Sequence, residues 1–132
     1  MYHMIAGTRA RIFGAAAFAA AMLASPVLCA SELVMFEQPG CIYCQRWDRD
    51  VGTLYGKTDE AIILPLRRVD IRSQHTSGIA LATPVRYTPT FVVVDDGREV
   101  GRITGYSNDD AFWGLLGTLA AKLPGVSRPH RT

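Results

Sequence analysis

Two cysteines separated by two residues, Cys41-Ile42-Tyr43-Cys44, stand where an apolar run gives way to helical spacing. Leu33-Val34-Met35-Phe36 ahead of them reads as a short buried strand. Gln38-Pro39-Gly40 reads as a turn. From Cys41 a helix is predicted to run to about Tyr55 and stop near Gly56, with Cys44, Trp47, Val51, Leu54 and Tyr55 on its apolar stripe. This arrangement puts Cys44 on the buried face and Cys41 at an exposed tip, where the first helical amides lack intrahelical partners. The positive end of the helix favours thiolate over thiol at the first sulfur. The spacing therefore assigns attack to Cys41 and resolution to Cys44. Tyr43, between them, is expected at the exposed substrate face.

The other readings of this pair are weaker. A disulfide closing so short a loop removes little unfolded-state entropy, so it is a poor staple. One C-x-x-C supplies two metal ligands where structural zinc takes four, and His75 and His130 lie far off in the sequence. No cofactor is implied, because the two sulfurs carry the electrons.

The first thirty residues are set aside as a secretory signal peptide. Arg9 and Arg11 make a basic start, 12–23 is apolar and Ala-rich, and Ser25-Pro26 breaks it before the small residues around Cys29-Ala30-Ser31. The apolar run is short for a bilayer span. Without this leader the 14 basic residues become 12, matching the 12 acidic ones, so no basic surface argues for nucleic acid. Cys41 and Cys44 are then left alone in an oxidising compartment, where they are expected to pair. The expected organisation is a leader over 1–30, one domain over 31–124 and a loose tail over 125–132.

Within that domain, 58–64 reads as a loop and 64–71 as a second strand, parallel to the first because a helix joins them. A short helix is expected around Ile79, Ala80 and Leu81, ended by Pro84. Thr90 to Asp95 reads as a central strand, Asp96-Gly97 as a two-residue hairpin turn, and Arg98 to Thr104 as the returning strand, with Val100 and Ile103 in the core. Ser107 is expected to cap a last helix whose stripe is Phe112, Leu115, Leu116, Leu119 and Leu123. The result is a mixed four-stranded α/β fold, β-α-β-α-β-β-α, with helices on both faces. Trp47 is expected in the core. Asp48, Arg46, Arg49, Arg67 and Arg68 are read as solvated.

Pro39-Gly40-Cys41-Ile42-Tyr43-Cys44, followed by Tyr87-Thr88-Pro89-Thr90, resembles the paired motifs of the thioredoxin superfamily. That resemblance implies a cis Thr88–Pro89 bond, a partner chain met by the backbone of Thr88, and Pro89 lying against the disulfide. In thioredoxin proper a buried Asp stands six residues before the first cysteine; here that residue is Met35. The proton of Cys44 then needs another acceptor, and Glu37 is the nearest carboxylate in sequence. The short mature chain, Phe36-Glu37-Gln38-Pro39-Gly40-Cys41, Tyr87-Thr88-Pro89-Thr90-Phe91 and Gly105-Tyr106 together resemble the periplasmic SoxS thioredoxins of bacterial sulfur oxidation. This implies a monomeric periplasmic reductant acting on a SoxYZ-type carrier, fed by a membrane thiol transporter. A Dsb-type oxidant or isomerase, and a metal-carrying module, are the alternatives.

Overall fold

The computed structural model describes residues 31–126. The proposed leader, with Cys29, and the last residues, with His130, lie outside them.

Four strands form one sheet in the order β2-β1-β3-β4. They are β1 (Ser31–Glu37), β2 (Leu66–Asp70), β3 (Thr90–Asp95) and β4 (Arg98–Thr104). β1 pairs parallel with β2 from Leu33–Leu66 to Glu37–Asp70, and antiparallel with β3 from Ser31–Asp95 to Phe36–Thr90. The parallel pair is the predicted βαβ unit. The hairpin also forms: Asp96 and Gly97 both take positive φ, 50° and 74°, the geometry in which two turn residues match the strand twist. β4 carries a bulge opposite Val93 and Val94, which pair with Gly101 and Glu99 and leave Val100 as the extra residue.

Side chains alternate across β1. Leu33 and Met35 join the larger core with Phe91, Val93, Trp47, Val51, Tyr55, Phe112 and Leu116. Val34 and Phe36 join a smaller one with Val85, Val92 and Val94. The larger core lies under the helices α1 (Ile42–Trp47), α2 (Thr53–Tyr55) and α4 (Asp109–Ala120). Trp47 sits at its centre, fully buried, with ring centroids 5.1 Å from Phe91 and 5.6 Å from Phe112. The opposite face carries a 3-10 helix, Ile71–Thr76, with Ile71, Ile79 and Leu81 packed over the smaller core. Helices thus cover both faces, but very unequally.

Several local expectations are corrected. The first helix is interrupted by a π segment, Asp48–Gly52, in which the Thr53 amide donates to the Asp48 carbonyl. A short helix α3 (Asp59–Ile63) replaces the expected loop, because the Thr58 hydroxyl caps the Ala61 amide. No helix forms over 79–81. Ala80 instead bridges the edge of β4, its amide donating to Gly97 and its carbonyl accepting from Glu99, and Pro84 ends no helix. Asn108, not Ser107, caps α4 through its side-chain oxygen, 2.8 Å from the Ala111 amide. Leu115 is half exposed rather than part of the stripe, and its neighbour Trp113 packs against the core instead. Val126 is partly buried against that core.

Candidate active site

Cys41 and Cys44 are joined by a disulfide, with Cα atoms 5.3 Å apart. Cys41 is the N-cap of α1, and its sulfur accepts from the Cys44 amide at 3.1 Å. The Gln45 amide donates to the Cys41 carbonyl. Once the bond is reduced, a negative charge on the Cys41 sulfur meets the Cys44 amide and the positive end of the helix. The expected exposed tip is corrected: Cys41 keeps only 9% of its surface and Cys44 keeps 4%. The difference still leaves Cys41 as the more exposed of the two residues. Among the described residues no group of three or more metal-ligating side chains converges.

The second motif is held close by. Thr88–Pro89 is cis. Its loop is fixed at three points: Gln38 Nε2 donates to Thr88 Oγ1 at 3.0 Å, the Thr90 hydroxyl donates to the Tyr87 carbonyl at 2.7 Å, and the Gly105 amide donates to the Pro89 carbonyl at 2.7 Å. Because Thr90 pairs with Phe36, the residues before β3 meet the end of β1 that leads into Cys41. Ile42, Tyr43 and Tyr87 are all more than half exposed. Tyr43 is exposed, with the Arg46 guanidinium 5.5 Å from its ring centre.

Of the charged residues expected to be solvated, Arg46 and Arg49 are exposed, while Arg67, Arg68 and Asp48 keep solvent contact but are also paired. Arg68, the direct cross-strand partner of Met35, sends Nη2 to Glu37 Oε2 at 2.8 Å and to Asp48 Oδ1 at 2.7 Å. It also lies 6.0 Å from the centre of the Trp47 ring. One guanidinium thus ties both parallel strands to the cysteine-bearing helix. Arg67 makes a two-pronged pair with Glu32 and donates to the Ser77 carbonyl. Strand periodicity places Arg67 and Arg68 on opposite faces, but only the register reveals their partners. Two further site residues were not singled out by the sequence reading. Gln38 acts through a contact fifty residues away, and Asp70 is held by Arg72, whose side-chain hydrogen bonds pull its carboxyl down to about 2.

A closed disulfide capping a helix, with the turn before it tied to the residue preceding a cis proline, on a mixed four-stranded sheet, defines a thiol–disulfide oxidoreductase of thioredoxin fold. Residues 31–120 match the family described as the thioredoxin-like domain, and the chain belongs to that family. It is similar to the periplasmic thioredoxin SoxS from Paracoccus pantotrophus: 44% identical, over 69% of this chain and 96% of that one, with a TM-score of 0.66. A thioredoxin from Malassezia sympodialis, 15% identical over 70% of this chain and 79% of that one, shares the fold at a TM-score of 0.55. So does a thioredoxin-fold protein from Helicobacter pylori, 18% identical over 71% of each chain, at 0.53. No curated protein matches the chain.

Proposed function

We propose that the chain is an exported, periplasmic reductant of a protein disulfide or blocked cysteine. The observation that carries this reading is the Cys41–Cys44 disulfide at the cap of α1, with Cys41 the more exposed of the two residues. The Cys41 thiolate attacks the partner's disulfide, a Cys41 mixed disulfide forms, and Cys44 then displaces the partner as a thiol. Thr88 and Pro89 receive the partner chain, the first through its backbone, with Tyr43 as a side-chain contact. The tie from Gln38 to the Thr88 hydroxyl supports this, because it engages the side chain and not the peptide groups.

The likeness to the periplasmic SoxS thioredoxin supports a SoxYZ-type carrier as partner and a membrane thiol transporter as the electron source. It also supports reading residues 1–30 as a cleaved leader, 31–124 as the working domain and 125–132 as a tail. Cys44→Ser is expected to accumulate partner adducts through Cys41, whereas Cys41→Ser gives none. If both variants reduce a model protein disulfide as well as wild type, the reading fails. Direction follows from potential: about −270 mV against glutathione fits a reductant, and about −120 mV would assign a Dsb-type oxidant instead.

A further inference from the structure

Resolution of the mixed disulfide needs a proton acceptor at Cys44. In that step the Cys44 S–H bond breaks and the Cys44–Cys41 bond forms. The bond from Cys41 to the partner breaks, its electron pair leaving on the partner sulfur. The thiolate, not the thiol, is the nucleophile, and Cys44 is almost entirely buried. Met35, fully buried on the same face of β1, offers a thioether and no base.

Cys44 opens onto a pocket of about 380 Å³ that it shares with Cys41 and three carboxylates, Glu37, Asp48 and Asp70. Asp70 is committed to Arg72, which contacts both of its oxygens at 2.9 and 2.6 Å and also donates its backbone amide at 2.8 Å. Asp48 turns Oδ1 to Arg68 on the side of Gly52, where a methyl group added to that glycine would lie 3.0 Å from the same oxygen. Glu37 is anchored through Oε2 alone, to Nε and Nη2 of Arg68 at 3.1 and 2.8 Å. Its Oε1, like Oδ2 of Asp48, has no hydrogen-bond partner among the described residues, but Glu37 stands on β1 beside the buried Met35. Glu37 alternates with Leu33 and Met35, so it sits on the face of the sheet that carries the larger core.

We propose that Glu37 takes the proton of Cys44 during resolution, directly or through a pocket water, and that Arg68 is the positioning residue that holds it there. This rests on the dithiol reading above. Asp48 reaches the same guanidinium from the helix, so the arginine's single charge is shared between two carboxylates. Asp70, paired with Arg72, completes the charged groups lining the pocket. From Glu37 the proton passes to solvent or to the departing thiolate.

Reduced full-length domain reacted with limiting dithiobis-nitrobenzoate separates the steps. The first coloured thiolate reports attack by Cys41, and the second reports resolution by Cys44. Glu37→Gln is expected to slow the second phase at least about tenfold near pH 6 and to converge on wild type near pH 9, where a thiol ionises unaided. The first phase is expected to keep its rate. Glu37→Asp is expected to recover part of the loss, and Arg68→Met to lower the second phase with the same pH slope. A second phase that Glu37→Gln leaves unchanged, or slows equally at every pH, overturns the proposal. So does an effect carried by Asp48→Asn instead. A wild-type protein that releases no second thiolate overturns the dithiol reading itself, a distinguishable result.

Discussion

Gln38 Nε2 donates to Thr88 Oγ1 at 3.0 Å, joining the turn that precedes Cys41 to the residue that precedes the cis proline. The two sides of the site are otherwise linked through the β1–β3 ladder, which ends at Phe36–Thr90. The bond is exposed, so its contribution to folding is small, within about 1 kcal/mol. Its effect falls on the gap into which a partner chain must fit. Gln38→Ala and Thr88→Val are each expected to lower kcat/KM for a protein disulfide about fivefold while leaving a small aromatic disulfide within about twofold, since 1 kcal/mol is roughly a factor of five. Equal losses on both substrates would place the effect on the sulfurs rather than on the docking gap.

Glycines in the helices divide by what surrounds them. An added Cβ at Gly52 would lie 2.9 Å from the Trp47 ring, and Trp47 is fully buried among aromatic neighbours with no room to shift. Overpacking of this kind costs about 1–3 kcal/mol, more than the gain of up to about 1 kcal/mol in helix propensity. Gly114 and Gly117 in α4 have nothing within 4 Å of that position. Gly52→Ala is therefore expected to lower the urea midpoint, and Gly114→Ala and Gly117→Ala to raise it, each by up to about 1 kcal/mol. The same substitution thus carries opposite signs in two helices, and a gain at Gly52 would contradict the packing described.

Capping separates two adjacent residues in the same way. Asn108 Oδ1 accepts from the Ala111 amide, while the Ser107 hydroxyl makes no such bond. Asn108→Ala is expected to destabilise by about 1 kcal/mol, and Ser107→Ala to stay within about 0.5 kcal/mol. Urea denaturation of the two variants side by side decides it.

The strands, the parallel first pair, the hairpin and the cysteine pair were legible because each had a local signature: the alternating faces of β1, the Asp96-Gly97 turn, the helical spacing after Cys41. Ser107 and Asn108 are both good caps, and one residue's difference in where the chain turns chose between them. Val100 and Ile103 stand three apart, an odd spacing for one face of a strand, and the bulge opposite Val93 and Val94 lets both reach the core. The short helix at 59–63 has a Thr58 cap but too little apolar periodicity to announce itself. Least legible was the charge cluster. Arg68, Glu37 and Asp48 come from β2, β1 and the π segment, and only the parallel register sets Arg68 opposite Met35 and within reach of both acids.

Two tyrosines predict how the protein fails in alkali. Tyr55 donates its hydroxyl to the Leu64 carbonyl at 2.7 Å in the core, and burial, with Glu60 adding to it, pushes its phenol well above the ordinary value. Tyr106 donates to Asp50 Oδ2 at 3.0 Å, and burial followed by that bond pushes it up to about 12. In the unfolded chain both ionise near pH 10. Above that value the folded state holds more protons than the unfolded one, so stability is fully present below about pH 10 and falls as pH rises toward the folded values. Urea midpoints measured from about pH 8 upward are expected to stay level and then decline past about pH 10. Tyr55→Phe is expected to begin lower, by about 1 kcal/mol for the lost buried bond, and to decline less steeply. Tyr106→Phe is expected to flatten the same limb. Curves that run parallel to wild type throughout would mean that neither hydroxyl carries the alkaline limb.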